Sequence, residues 1–139
     1  MEIPDFLIGQ ISEGNVVLLL GSGASKGATN SKGEHPPDGK ELGNILSNKF
    51  LGGKFNNSSL SQIAEYAISE SSLTEVQEFI AELFRPFEPA SFHLKICNFL
   101  WFGLATTNYD LVIEKAYQKA EKPLQSPVPF IENGDNVDR

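Results

Sequence analysis

The stretch VVLLLGSGAS at residues 16–25 decides the fold class of this chain. Its first half is an unbroken apolar run, β-branched at the start, which is typical of a parallel strand buried on both faces. The second half is rich in glycine and serine. In α/β folds, a glycine-rich turn directly after a buried strand is where backbone N–H groups bind phosphate. We therefore predict an α/β domain with a candidate ligand site that begins at Gly21.

The glycine-rich turn matches neither of the two common phosphate-binding motifs. The dinucleotide fingerprint GxGxxG would need glycine at position 26, where the chain has Lys26, and the third glycine is Gly27. The P-loop pattern fails as well, because no Gly-Lys-Ser/Thr follows. An ordinary turn into the long loop of residues 21–39 explains the composition equally well. The turn alone thus suggests a nucleotide site without establishing one.

Helical patterns fill most of the remaining chain. Apolar spacing predicts helices near residues 4–13, 42–50, 60–67, 73–83, 90–100 and 111–119, and the run at 101–106 predicts a second buried strand. Ser59 with Gln62, and Ser72 with Glu75, form capping-box patterns at two of the helix starts. Open α/β sheets usually have about five or six strands, and only two are predicted here. We therefore expect residues 1–139 to be the N-terminal portion of a Rossmann-like domain, with a helical insertion at about 40–100 and its C-terminal part absent.

Composition excludes several classes of protein. The 139 residues carry a net charge of −7, which argues against non-specific attraction to nucleic acid or to an anionic membrane. The single cysteine, Cys97, cannot form an internal disulfide or a cysteine-only zinc site, and we expect it to be a buried free thiol. No apolar run approaches the roughly 18 residues of a membrane span, and the acidic N-terminus does not resemble a signal peptide. These features predict a soluble, cytoplasmic protein.

A second candidate site lies in the sequence TTNYD at residues 106–110, where the second predicted strand passes into a helix. Ligands of open α/β sheets bind at this carboxyl edge, so both turns would face one crevice if the two strands are neighbours. Asn108 offers a hydrogen-bond donor and an acceptor, whereas Asp110 offers acceptors only. Together they could hold a nucleoside. The alternative is that Asp110 caps the helix and Asn108 is a turn residue, and one aspartate can fill both roles.

The order of these motifs resembles the sirtuin-like domains of prokaryotic anti-phage defence proteins. The resemblance covers about residues 15–120 and rests on GSGAS at 21–25, PDGKEL at 37–42, His93 and TTNYD at 106–110. It implies a Rossmann-like NAD-binding domain that hydrolyses NAD+ to nicotinamide and ADP-ribose. Depletion of NAD+ would then act in antiviral defence. NAD+ would be the substrate, and no metal is expected.

The resemblance also implies a role for each matching position. The diphosphate and ribose turn corresponds to Gly21, Ser22, Gly23, Ala24 and Ser25. Asn108 corresponds to the catalytic asparagine beside the nicotinamide ribose, with Thr107 next to it in the cofactor site. Asp110 corresponds to the residue near the carboxamide, and Asp38 lies in a Pro-Asp pair similar to that of the family's cofactor-covering loop.

Two departures from the family pattern limit what the resemblance implies. The family's catalytic histidine follows a later strand and would lie beyond Arg139, so we expect residues 1–139 alone to be inactive. His35 and His93 do not match that position; we expect His93 to pack or hydrogen-bond and His35 to face solvent. The zinc-binding cysteines of protein deacetylases are missing, which ranks deacylation low.

Two functions from different classes follow. The first is an NAD+ glycohydrolase in antiviral defence, restrained until a sensor detects infection. The second is a non-catalytic module that binds NAD or an ADP-ribose derivative and regulates a partner or fused domain. We expect a homo-oligomer, or a complex with a sensor or effector subunit or a fused C-terminal domain. We expect no direct contact with nucleic acid or membrane.

Overall fold

The computed structural model describes residues 3–128 and contains helices, two strands and two short 3₁₀ turns. Along the chain the elements are helix α1 (Asp5–Ser12), strand β1 (Val17–Leu20), a 3₁₀ turn (Ser22–Ser25), helices α2 (Gly39–Phe50), α3 (Leu60–Glu70) and α4 (Leu73–Phe84), a second 3₁₀ turn (His93–Asn98), strand β2 (Gly103–Thr106) and helix α5 (Val112–Lys119). The chain is therefore a mixed helix and strand fold, compatible with the predicted α/β class.

The two strands form a parallel pair, as the sequence argument required. Val17 lies opposite Gly103 and Leu20 lies opposite Thr106, so both strands end at the same edge. The prediction that the first strand is buried on both faces is wrong, because Val17 and Leu19 are 57% and 71% exposed. The second predicted strand is only partly covered: Phe102, just before β2, is 79% exposed, and no residue of β2 is fully buried. Only one face of this two-stranded sheet is covered within the described residues, because α5 and the second 3₁₀ turn pack on the side of Leu104.

The main core lies between helices α2, α3 and α4. Its buried side chains come from all three helices and from the loops that follow α2 and α4: Leu42, Leu46, Leu51, Ile63, Ala67, Val76, Phe84 and Phe87. These positions recur at the helical spacing expected of one apolar face. The three helices form the helical unit of the molecule, residues 39–87.

The starts of α2 and α3 carry complete capping boxes. Asp38 accepts hydrogen bonds from the backbone N–H groups of Lys40 and Glu41, and Ser59 with Gln62 forms the predicted reciprocal pair. At α4 only half of the predicted box is present, because Ser72 accepts from the N–H of Glu75 without the return bond. Each satisfied N–H removes one unpaired donor from the helix end.

The predicted helix at residues 90–100 is replaced by the short 3₁₀ turn His93–Asn98. Pro89 lies just upstream, and the backbone bonds Lys95 N–H to Phe92 O and Phe99 N–H to Ile96 O span three residues, as in 3₁₀ geometry. Cys97 is a buried free thiol, as predicted. Burial raises the pKa of this thiol above its ordinary value, so it stays protonated at neutral pH.

One ammonium group joins α5 to the end of the helical unit. Lys115 Nζ donates to the carbonyl oxygens of Arg85 and Phe87 at 2.6 and 2.8 Å, and to Glu88 Oε1 at 2.9 Å. Lys119 binds the other carboxylate oxygen of Glu88 at 2.6 Å. These contacts fix the chain that leaves α4 against the helix that follows β2.

No helix among residues 3–128 is both long enough and apolar enough to cross a membrane.

Candidate functional site

The parallel pairing of β1 and β2 brings the two predicted turns to the same edge of the sheet. The backbone N–H of Thr107 donates to the carbonyl of Leu20 at 3.2 Å, which continues the strand pairing to the point where both turns begin. The GSGAS turn follows β1 and the TTNYD turn follows β2. Residues 85 positions apart in sequence are thereby placed in direct contact.

Three side chains link the two turns through hydrogen bonds. Ser25 Oγ donates to Asp110 Oδ2 at 2.5 Å, and Asn108 Nδ2 donates to Ser25 Oγ at 2.8 Å. Ser25 and Asp110 are buried, at 7% and 8% exposure. A buried chain of polar groups keeps its geometry because breaking any member leaves the others unpaired.

The carbonyl oxygen of the Asn108 side chain is the exception in this chain of hydrogen bonds. Asn108 Oδ1 is buried and has no hydrogen-bond partner within residues 3–128. A buried unpaired acceptor typically costs about 1–3 kcal/mol and is uncommon in native proteins. The backbone N–H of Asn108 is held by Thr106 Oγ1 at 3.1 Å, which fixes the position of the residue.

Asp110 also supports the start of α5. Its Oδ1 accepts from the backbone N–H of Val112 at 3.0 Å, while Oδ2 accepts from Ser25. Asp110 is not the N-cap of α5, because Leu111 holds that position without a side-chain cap bond. Its bond from the Val112 N–H nevertheless supports the start of the helix, while its other oxygen accepts from Ser25. Both oxygens are engaged inside the protein.

The glycine-rich turn differs from the prediction in how it uses its glycines. Gly21 has a φ of −103°, and a Cβ added at Gly21 or Gly23 would meet nothing within 4 Å, so neither position requires glycine for its conformation. Gly27 does, because its φ is +87° and a Cβ there would lie 2.8 Å from the ring of Phe92. The N–H of Ala24 donates to Gly21 O, so it is used within the turn.

The buried side chain of His93 makes a hydrogen bond to the glycine-rich turn, which confirms its predicted structural role. The ring is 1% exposed and its Nδ1 accepts from the backbone N–H of Ala90 at 2.9 Å. Nε2 must then carry the proton that donates to the carbonyl of Ala24 at 2.8 Å. Sequence patterns placed His93 correctly as a hydrogen-bonding residue, but its partner is 69 residues away and was not predicted.

Both turns open into a cleft of about 780 Å³. Of the nine predicted site residues, seven line it: Ser22, Gly23, Ser25, Asp38, Thr107, Asn108 and Asp110. Gly21 and Ala24 do not. The carboxylate of Asp38 is occupied in capping α2, so it borders the cleft mainly as part of that helix start.

Several cleft residues were not predicted as site residues. The helical unit contributes an apolar wall formed by Leu42, Leu60 and Phe84. Tyr109, which lies between Asn108 and Asp110 in the sequence, also lines the cleft. His35 also lines the cleft; it is exposed, as predicted, and its Nδ1 lies 3.1 Å from Ala28 O. The sequence held no signal for the apolar wall, because these residues look like ordinary helix-core positions.

The cleft is lined by polar and aromatic groups. No group of three or more His, Cys, Asp or Glu side chains that could hold a metal ion occurs in the described part of the chain. Lys26 and His35 line the cleft as its basic side chains, beside the hydroxyl, amide and carboxylate groups of the linked turns.

Comparison with known proteins gives no relative from which a role can be transferred. No protein-family model, no curated protein and no solved structure matches the chain. The functional argument therefore rests on the site itself.

Proposed function

We propose that this chain is a Rossmann-like NAD-binding domain whose cleft between the GSGAS and TTNYD turns cleaves NAD+ to nicotinamide and ADP-ribose. Hydrolysis of the cofactor would serve antiviral defence by depleting NAD+ in infected cells. The resemblance of the two turns to sirtuin-like defence domains suggests the reaction, and the geometry of the cleft supports it.

The observation that carries the proposal is the direct contact between the two turns through Ser25, Asn108 and Asp110. Ligand sites of open α/β sheets form where turns after parallel strands meet at the carboxyl edge. A cleft of about 780 Å³ lies within the size range of pockets for cofactor-sized molecules. Its apolar wall of Leu42, Leu60 and Phe84 suits a flat base, and Lys26 suits a phosphate.

Asn108 fits the part of the reaction that needs a fixed dipole. Cleavage of the nicotinamide glycosidic bond passes through an oxocarbenium-like state, which is stabilised when the ribose hydroxyls are held by preorganised groups. The unpaired Oδ1 of Asn108 is an acceptor that a ribose hydroxyl or a water could satisfy. In this role Asn108 orients the sugar, and the helical unit excludes water from one side of the cleft.

Nicotinamide release from NAD+ tests the reaction. We expect residues 1–139 alone to release no nicotinamide, and a protein that joins them to the segment expected to carry the catalytic histidine to release it. In that longer protein we expect Asn108→Ala to lower kcat by about 100-fold, the size typical of losing one preorganised dipole. Asn57→Ala, at an exposed position outside the cleft, is the matched control and should keep the parent rate. Full turnover by Asn108→Ala would remove Asn108 from catalysis.

A second function, an NAD- or ADP-ribose-binding module without catalysis, is favoured by the state of the histidines. His93 is buried with both ring nitrogens engaged, and His35 is an exposed loop residue. Within residues 3–128, neither histidine makes a hydrogen bond with Asn108. Titration calorimetry with NAD+ and ADP-ribose measures binding, and the nicotinamide assay on the protein that includes the expected histidine segment separates the two functions. Binding without release by that longer protein supports the module, and release supports the hydrolase.

A further inference from the structure

We propose that Asp110 is a positioning residue: acting through Ser25, it fixes the direction of the Asn108 amide, so that the cleft offers an acceptor and selects ligands that donate a hydrogen bond. The inference deepens the proposed function and rests on ligand binding in the same cleft. It assigns Asp110 a role different from direct contact with a carboxamide, because both carboxylate oxygens already have partners inside the protein.

The direction of the chain of hydrogen bonds follows from the chemistry of its ends. A carboxylate only accepts, so the hydroxyl proton of Ser25 is directed at Asp110 Oδ2. With its proton used in that bond, Ser25 Oγ can only accept further hydrogen bonds. The amide of Asn108 must therefore turn its NH2 group toward Ser25, at 2.8 Å, and its oxygen away.

This orientation explains why Asn108 Oδ1 is unpaired. Rotating the amide by 180° would bring Oδ1 against the oxygen of Ser25, whose proton is already committed to Asp110. The protein thus keeps a buried acceptor without a partner beside the cleft. A hydroxyl or an amide N–H of a ligand pairs with it, whereas a carbonyl or phosphate oxygen at that point is repelled.

Substitution of Asp110 by asparagine should reverse the donor and acceptor roles in both hydrogen bonds of Ser25. The side-chain oxygen of the new amide would keep the bond from the Val112 N–H, which preserves the start of α5. Its NH2 group would then face Ser25 Oγ and donate to it. Ser25 is left to donate to Asn108, whose amide rotates to accept. The cleft would then present the Asn108 NH2 group, a donor, in place of an acceptor.

Nuclear magnetic resonance of the ligand-free protein tests this reversal without any assumption about NAD+. The side-chain NH2 signal of Asn108 is assigned by its loss in Asn108→Ala. We expect slow hydrogen exchange of that signal in the parent protein and exchange faster by about fivefold to tenfold in Asp110→Asn, the range for one neutral hydrogen bond. Asp5→Asn, the same change at the exposed start of α1, should leave the signal unchanged.

Two serine variants keep the test decisive if Asp110→Asn folds poorly. Ser25→Ala removes the middle hydroxyl and should also accelerate exchange of the Asn108 signal. Ser25→Thr retains the hydroxyl and should restore slow exchange. An Asn108 signal that exchanges at the parent rate in both Asp110→Asn and Ser25→Ala would overturn the proposal.

Affinity measurements then connect the orientation to ligand choice. We expect Asp110→Asn to weaken NAD+ binding by about tenfold, because the cleft would present a buried donor in place of an acceptor. The affinity of Asp5→Asn for NAD+ should equal that of the parent. If the parent protein does not bind NAD+ while the exchange experiment shows the reversal, the positioning role stands and the proposed function fails. If Asp110→Asn binds NAD+ as tightly as the parent, the selectivity argument fails.

Discussion

The helical unit and the two-stranded sheet of this chain are built in opposite ways. In the helical unit, apolar residues of α2, α3 and α4 are buried against each other, and Leu46 and Ala67 are fully buried. In the sheet, Val17 and Leu19 of the apolar run are mostly exposed, and the polar contacts at its edge are the buried groups. Stability and site chemistry are thus divided between two regions, and the cleft lies where they meet.

This division indicates how the site is held in place. The turns after β1 and β2 are joined by the hydrogen bond that Ser25 donates to Asp110, and the first turn is also held by the bond that His93 donates to Ala24 O. The helical unit supplies the apolar wall of the cleft, and Lys115 of α5 links that helix to the end of the unit. Substitutions in the two regions should therefore differ in kind: core changes should affect unfolding, and changes at the turns should affect binding.

The largest loss of stability is expected from Leu46→Ala. Leu46 is fully buried between the helices, and truncation leaves a cavity that costs about 2–5 kcal/mol. Leu19→Thr is the matched change in the sheet, and with 71% exposure it should alter the free energy of unfolding by less than about 0.5 kcal/mol. Urea denaturation measures both, and equal losses would contradict the contrast between the regions.

A smaller loss is expected when the link between the regions is removed. Lys115→Met keeps the length of the side chain but leaves the carbonyls of Arg85 and Phe87 without their charged donor, at a cost of about 2 kcal/mol. Lys119→Met is the control, because its ion pair with Glu88 is half exposed and contributes well under about 1 kcal/mol. Thermal unfolding followed by circular dichroism should rank the two variants in this order.

The capping of α3 is expected to contribute about 1 kcal/mol, the usual loss when a serine cap becomes alanine. Ser59→Ala removes the acceptor for the Gln62 N–H at the start of the helix. Ser69→Ala, at an exposed position near the end of α3, removes a hydroxyl without removing a cap and should change stability less. Chemical denaturation distinguishes them; similar losses would show that the cap is not the source.

The smallest effect is expected at Glu88, and it depends on pH. The hydrogen bonds from Lys119 and then Lys115 lower the pKa of Glu88 below its ordinary value of 4.5. The carboxylate therefore stabilises the fold above pH 4.5, and this contribution is lost as pH falls through the lowered folded pKa. Because the side chain is 44% exposed, we expect less than about 0.5 kcal/mol.

Glu88→Gln provides the measurement. The variant should lose less stability than the parent when denaturation is compared at neutral pH and at acid pH below 4.5, because the glutamine does not titrate. Parallel curves for the two proteins would mean that the lysine contacts do not hold the carboxylate in its charged form.

Local sequence patterns predicted where helices and strands occur better than they predicted which faces of those elements are buried. Sequence patterns report directly the effects that act over a few residues, such as the apolar run before Gly21, the capping serines Ser59 and Ser72, and the helix after Asp110. The helix predicted at 90–100 failed because apolar spacing does not distinguish an α-helix from a 3₁₀ turn. Burial of both strand faces failed because it depends on what packs against the sheet, which periodicity does not contain.

The candidate site was predicted in outline from strand order and turn composition. That argument placed both turns at one edge, and the pairing of Leu20 with Thr106 confirms the placement. The hydrogen bond from Ser25 to Asp110 and the support of Ala24 by His93 were not predictable, because they join residues that are far apart in sequence and depend on the directions of individual atoms. The glycine requirement was misassigned for the same reason, since Gly27 is required by its positive φ and by the nearby Phe92 ring, which sequence patterns do not report.

The backbone bridge between Thr29 and Glu88 divides the long loop into two spans with different tolerances. The first span, from the glycine-rich turn to Thr29, is anchored at both ends by backbone pairing. The second span, residues 30–38, runs from the bridge to the cap of α2. It contains a small turn in which the Asn30 side-chain amide donates to the Glu34 carboxylate. Engineered insertions or a fluorescent reporter should be accepted at the exposed tip of this second span, at Lys32 and Gly33, while the residues that line the cleft keep their positions.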